Sequence, residues 1–371
     1  MNVLVTGGAG FIGSHLVDAL LARGHAVRVL DALEAQVHGE ARKPPPWLPS
    51  AVDLRVADVR DRAAVRAALD GIEVVFHQAA AVGVGQSMYE IERYVSANAL
   101  GAAVLLEELV ERRQQLRRVV VASSMSLYGE GAYRDADGAL VHPGLRPTAQ
   151  LEARRWEPED AQGRPLAPIA TPESAPLAPT SVYAVTKRDH EELFLAVGNA
   201  YGIPTVALRY FNVFGTRQAL GNPYTGVVAI FSSRLLHGRA PILYEDGAQT
   251  RDFVHVSDIV AANLLAMEKD AAVGRTYNVG TGRATSIAAV AEALARALGV
   301  AVEPEATGRF RAGDIRHCYA DVSAIARELG FEARTSLAAG LAELLAWLRT
   351  QAPEDRLAEA AAALERRGLA R

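Results

Sequence analysis

The first thirty-one residues constrain the fold more than any other part of the chain. Val3-Leu4-Val5 is a short apolar run, and Gly7-Gly8-Ala9-Gly10-Phe11-Ile12-Gly13 spaces Gly7, Gly10 and Gly13 three apart. Ser14–Arg23 carries Leu16, Ala19 and Leu20 at helical spacing, and Ala26–Leu30 is a second apolar run closed by Asp31. Strand, glycine turn, helix, strand and acid, in that order, form the first half of a dinucleotide-binding βαβ unit. The glycines allow a tight turn, a backbone close to a pyrophosphate and a helix packed closely on its strand.

Asp31 is placed to accept hydrogen bonds from adenosine ribose hydroxyls and to repel a 2′-phosphate. Ala32 and Leu33 supply no arginine to offset that repulsion, so the expected cofactor is NAD. Asp58-Val59 follows the third expected strand and suits the adenine edge, although Asp58 alone reads equally well as a helix N-cap.

The alternation continues along the chain. Strands are expected at Val52–Val56, Val74–Phe76, Val119–Ala122 and Thr205–Leu208, and helices at Arg62–Leu69, Ile91–Glu111 (one long helix) and Ala184–Ala200. Uniformly apolar strands alternating with helices imply an α/β fold, a Rossmann-type doubly wound parallel sheet covered on both faces. After Asn212 the pattern is mixed, with helices expected at Val227–Leu236, Ser257–Glu268, Ile287–Leu298, Val322–Leu329 and in the tail at Glu354–Leu369. The expected organisation is a NAD-binding domain over 1–211 and a smaller mixed α/β substrate domain over 212–371, with part of 250–280 returning to the first. Two segments interrupt it: a proline-rich polar loop, Glu34–Pro49, and Gly131–Pro179, read as an insertion with little regular structure, close to the active site.

Composition narrows the function classes. A net charge of −4 over 371 residues gives no general affinity for nucleic acid or acidic membranes, so any anionic ligand must be held by local donors. The single cysteine, Cys318, excludes an internal disulfide and a cysteine-based zinc site, and no metal site is expected. No apolar run approaches the ~20 residues of a membrane span, and the immediate entry into a strand argues against a signal peptide. A cytoplasmic protein is expected.

Tyr183 and Lys187 stand four apart on one helix face. A tyrosine of ordinary pKa ~10 is a poor base at neutral pH, and a nearby ammonium stabilises its phenolate. Upstream, Val119-Val-Val-Ala-Ser-Ser-Met-Ser-Leu-Tyr-Gly129 ends a strand in serines at the edge where such sheets present ligands.

These motifs, with His77-Gln-Ala-Ala80, Asn98, Ser124, Arg209-Tyr-Phe-Asn212 and Arg251-Asp-Phe-Val-His-Val256, resemble the extended short-chain dehydrogenase/reductases. More narrowly, they resemble the nucleotide-sugar epimerase/dehydratase group that includes UDP-galactose 4-epimerase, over roughly 1–337 except the 131–179 insertion. The resemblance implies a catalytic set of Ser124, Tyr183 and Lys187: Ser124 on the sugar hydroxyl, Tyr183 as general base, and Lys187 on the nicotinamide ribose. It implies that Phe11 and Ile12 offer backbone N–H groups to the pyrophosphate, that Gln78, Ala79 and Ala80 line the cofactor, and that Asn98 and Phe211 flank it. Asn212, Arg251 and Arg311 would bind the sugar nucleotide, the arginines at its diphosphate, with Leu243 and Tyr244 along the base. His255 is read as a packed strand residue. Relatives often form homodimers through the helices corresponding to 91–111 and 184–200.

The reactions of this group begin with oxidation at C4 of a hexose. Dehydratases carry an Asp-Glu pair after the position of Ser124, and decarboxylating relatives a glutamate two places on; here those places hold Met125 and Ser126. Neither works as an acid or base near neutral pH, which points to a 4-epimerase using a transient 4-keto sugar. The insertion resembles that of epimerases assigned to dTDP-L-rhamnose, several of which have cysteines there. Its lack of cysteine excludes a zinc staple, and Trp156 is the candidate anchor. Substrates rank as dTDP-6-deoxyhexoses, then UDP-hexoses or uronates; a 4,6-dehydratase or ketoreductase, or an inactive NAD-binding protein, are the alternatives.

Overall fold

The computed structural model describes residues 1–219, 226–301, 303–311, 313–351, 362 and 364–369. Seven strands make one sheet: β1 (Asn2–Thr6), β2 (Ala26–Asp31), β3 (Asp53–Val56), β4 (Val74–His77), β5 (Arg118–Ser124), β6 (Thr205–Tyr210) and β7 (Thr276–Val279). Their order is β7-β6-β5-β4-β1-β2-β3, and every neighbouring pair is parallel. The chain leaves β1 toward β2 and later returns to its other side with β4. A crevice therefore opens at the carboxyl edge between β1 and β4, where ligands of doubly wound sheets sit.

Both faces of the sheet are covered, which is why Val119, Val120 and Val121 are all apolar and fully buried. On one face Leu16 and Leu20, from the helix Phe11–Ala22, share a core with Ile259 of the helix Val256–Glu268. On the other, Leu105 and Leu109 of the helix Gly101–Glu111 pack with Phe194 of the helix Val182–Tyr201. The stretch 256–279 thus lies on this sheet. A third core joins Phe231, Leu294 and Leu344 from the helices Val227–Leu236, Ile287–Leu298 and Leu337–Leu348.

Three expectations need correction. The helix expected over 91–111 is interrupted: α-helical turns at Ile91–Tyr94 and Gly101–Glu111 flank a π-helical turn, Val95–Leu100. Such a turn widens the helix locally; here the Asn98 side chain meets the backbone of Ala81 and the Thr186 hydroxyl. The insertion, though mostly irregular, holds four short regular elements. Ala132–Arg134 pairs antiparallel with both Leu140–Val141 and Ala167–Ile169, and Thr148–Glu152 is helical. Third, the loop 34–49 contains one helical turn, Ala35–His38. The helix Leu337–Leu348 is not among the expected elements, although Leu337, Leu341, Leu344, Leu345 and Leu348 stand at helical spacing. Most of the proposed tail helix, 354–369, lies outside the described residues.

Candidate active site

The glycine turn after β1 forms the floor of the crevice. Gly7 sits at φ +69 with its N–H on Leu30 O at 2.8 Å, and a Cβ there would stand 2.7 Å from Ala79 N. A Cβ on Gly13 would fall 2.2 Å from Gly7 O, so helix and strand approach closer than any side chain permits. The helix that starts at Phe11 has no side-chain cap at Gly10, leaving its first amides available to an anion in the cleft.

Asp31 ends β2 and is buried, its carboxylate accepting from Ala9 N and Leu33 N, both at 2.9 Å. His38 Nε2 lies 3.8 Å away. Asp58 pairs with Arg60 at 2.6 Å, a contact that holds its carboxyl below the usual range. The N-cap of the helix Arg62–Ala68 is instead Asp61, whose side chain accepts from Ala64 N at 3.1 Å.

At the far side, Ser124 ends β5 and accepts from Ser126 N and Ser126 Oγ at 3.2 and 2.9 Å. The helix Val182–Tyr201 begins on a Ser181 cap, accepting from Ala184 N at 3.1 Å, and this start sets Tyr183 beside Ser124. Burial pushes the Tyr183 phenol up to about 12, while hydrogen bonding to Ser124 pulls it down. Lys187 Nζ donates to Ala122 O at 2.8 Å and lies 3.3 Å from His190 Nδ1, and burial brings it down to about 7. The His190 ring is oriented by the carbonyl of Asn98, 2.9 Å from Nε2. Lys187 and the phenol are thus on one helix face, but the ammonium is engaged with backbone and imidazole.

A cavity of about 450 Å³ joins these two ends. Of the residues singled out from sequence, its wall contains Gly7, Gly10, Phe11, Ile12, Gly13, Asp31, Asp58, Val59, Gln78, Ala79, Ala80, Ser124, Tyr183, Lys187, Phe211 and Asn212. Asn212 Oδ1 is buried without a hydrogen-bond partner among the described residues, an acceptor open to a ligand. Asn98 lies behind the wall, and Leu243, Tyr244, Arg251 and Arg311 lie outside it. Leu243 is buried in the third core. The Arg311 guanidinium stacks 4.3 Å above the Tyr244 ring. Arg251 donates to the carbonyls of Thr250, Arg316 and Ile315. No described residue of the insertion lines the cavity.

Sequence reasoning passed over Gln36 and His38, which line the adenosine side, and His190, which orients Lys187. It assigned His255 to packing; this residue is buried, with Nδ1 2.8 Å from Ser257 Oγ. Among the described residues no group of three or more His, Cys, Asp or Glu could hold a metal ion.

An uncapped helix over a glycine floor, an acid at the end of β2 and an open acceptor beside a Ser-Tyr-Lys cluster define a dinucleotide-binding oxidoreductase-type enzyme. The comparisons with known proteins are narrower. Residues 3–149 and 159–280 match the model of the NAD dependent epimerase/dehydratase family, and the chain belongs to that family, with NAD as its cofactor. It is 39% identical over 349 residues to a dTDP-L-rhamnose 4-epimerase from Burkholderia thailandensis, covering 94% of each chain. Among solved structures it resembles a UDP-glucose 4-epimerase from Thermotoga maritima with UDP-glucose, at TM-score 0.77 and 31% identity, covering 94% of this chain and 99% of that one. A UDP-glucuronic acid 4-epimerase from Bacillus cereus, in complex with UDP-glucuronic acid and NAD, matches at TM-score 0.76 and 26% identity, with coverage of 94% and 99%.

Proposed function

We propose that this enzyme is a nucleotide-sugar 4-epimerase that works through a transient 4-keto sugar. Tyr183, as phenolate, takes the proton of the C4 hydroxyl while Ser124 hydrogen-bonds the same oxygen. Bound NAD supplies the hydride acceptor for C4 and, after the keto sugar has turned, the hydride donor on its other face. Tyr183 then returns its proton to the new alkoxide, so atoms and electrons balance with no net oxidation. Burial alone holds the phenol high, so its ionised form depends on positive charge nearby, which Lys187 carries when protonated. Phe11, Ile12, Gly13 and Asp31 would hold the dinucleotide, with Gln78, Ala79, Ala80, Asp58, Val59 and Phe211 along it. Asn212, Arg251, Arg311 and Tyr244 would face the sugar nucleotide, whereas Leu243, packed in the third core, would not.

One observation carries the choice of epimerisation over elimination. The described carboxylates lining the cavity are Asp31, Glu34 and Asp58. Asp31 ends β2, three strand spacings from the end of β5, about 14 Å from the reacting side. Glu34 and Asp58 follow β2 and β3, on that same far side. Met125 is buried in the core, and the Ser126 hydroxyl is used on Ser124 Oγ. The site therefore has a base for oxidation and re-reduction, and no described carboxylate beside the sugar to drive elimination.

A dTDP-6-deoxyhexose is the first substrate choice, supported by the Burkholderia relative, and UDP-hexoses or uronates are second. Incubation with a panel of dTDP- and UDP-sugars without added reductant, read by NMR, tests both. C4 inversion is expected; accumulation of a keto sugar, or a need for added NAD(P)H, would count against the reading.

A homodimer is also proposed. Ile91, Val95, Val185 and Leu193 are exposed apolar residues on the helical segments 91–111 and 182–201, and a patch of this kind is characteristic of a subunit interface. Among the described residues no helix is long and apolar enough to cross a membrane.

A further inference from the structure

The insertion stays out of the cofactor cavity yet is joined to the substrate side by buried charge. Its Arg146 side chain is 2% exposed and grips Glu245 through both guanidinium ends, each at 2.9 Å. The same guanidinium donates to Trp156 O at 2.7 Å and Asp314 O at 3.1 Å. Arg316, 1% exposed, donates at 2.9 Å to Glu245 Oε2, an oxygen it shares with Arg146, and also meets Asp246 and the insertion's Glu157. Glu245 is a non-glycine residue at φ +54, a conformation its surroundings must enforce.

The residues next to these contacts are the ones assigned above to the sugar nucleotide. Tyr244 precedes Glu245, and its ring carries the Arg311 guanidinium. Arg311 pairs with Asp314 at 3.2 Å, and the Asp314 carbonyl is the one Arg146 holds. Arg251 is bound to the carbonyls of Ile315 and Arg316. One forked cation therefore holds a neighbour of each half of the Tyr244–Arg311 stack, Glu245 beside Tyr244 and the carbonyl of Asp314, whose carboxylate pairs with Arg311; a planar bidentate donor suits such a double grip.

We propose that Arg146 is a positioning residue for nucleotide-sugar recognition: by gripping Glu245 and the Asp314 carbonyl together, it holds Tyr244 and Arg311 in register. The insertion thereby sets affinity and nucleotide choice without touching the reacting atoms. This rests on the reading of Tyr244, Arg251 and Arg311 as substrate-facing.

The test compares wild type, Arg146→Met and Arg146→Lys as NAD-loaded proteins. In Arg146→Met, KM for the sugar nucleotide should rise about tenfold with kcat within about twofold, NAD content unchanged, and a smaller preference between UDP- and dTDP-sugars. Arg146→Lys, which keeps the charge and loses the fork, should fall between and carries the test if the methionine variant is insoluble. Calorimetry with free UDP and dTDP gives a readout independent of turnover, weaker binding being expected for the variants. Unchanged KM and nucleotide binding, or parallel loss of kcat and NAD, overturns the proposal. Wild-type protein that turns over no sugar nucleotide overturns the functional reading instead.

Discussion

Lys187 donates its ammonium to the carbonyl of Ala122 at 2.8 Å, two residues before Ser124 on the same strand. The contact ties the helix that bears Tyr183 to the strand end that bears Ser124. The relative position of the Tyr183 phenol and the Ser124 hydroxyl thus depends on a buried lysine.

Replacing Tyr183 with Phe removes the proposed proton acceptor and leaves the glycine floor intact. Conversion should fall by about 10²–10⁴-fold while NAD copurifies at the wild-type ratio. NMR turnover and cofactor content after denaturation measure the two effects, and near-normal turnover would remove Tyr183 from its role.

Lys187 titrates near 7 in the folded protein because burial disfavours its charge. The unfolded lysine holds its proton to about 10.4. Between these values the unfolded chain binds more protons, so this group makes stability rise as pH increases from about 7 to about 10. Below 7 the folded protein carries the buried ammonium at full cost. Lys187→Met should therefore melt higher than wild type at pH 6, by an amount that shrinks at pH 9, while losing activity. A difference that does not narrow with pH contradicts the assignment.

Asp31→Asn removes the negative charge proposed to face the adenosine ribose and keeps one acceptor for Ala9 N or Leu33 N. NADP affinity should improve relative to NAD by roughly tenfold or more. Fluorescence titration with both dinucleotides reads the ratio; an unchanged preference would place the selectivity elsewhere.

A charge at Ile91 or Leu193 should prevent two copies from burying this face. Ile91→Glu with Leu193→Glu is expected to sediment as a monomer where the wild type sediments as a dimer, because an unpaired charge in an apolar contact is costly. Sedimentation velocity decides it, and a monomeric wild type would end the dimer proposal.

Much of the site was legible because its signals are local. Gly7 to Gly13 and Asp31 lie within one βαβ unit, and Tyr183 and Lys187 are one helical turn apart, so spacing alone states their geometry. The π turn at Val95–Leu100 was not legible, since its residues read as ordinary helix and its reason, Asn98 reaching Ala81 and Thr186, is tertiary. His190 was missed for the same reason: its partners are the Asn98 carbonyl, 92 positions away, and a lysine whose own direction depends on β5.

By itself the sequence determined the parallel sheet, the cofactor crevice and the placing of Tyr183 and Lys187 on one helix face, because hydrophobic period, glycine spacing and helical spacing act between near neighbours. Tertiary structure alone decided how the insertion is held. Arg146 and Glu245 are 99 residues apart, and nothing in either neighbourhood marks them as partners. Once both are taken out of water, each charge requires the other, and that requirement exists only in the folded chain.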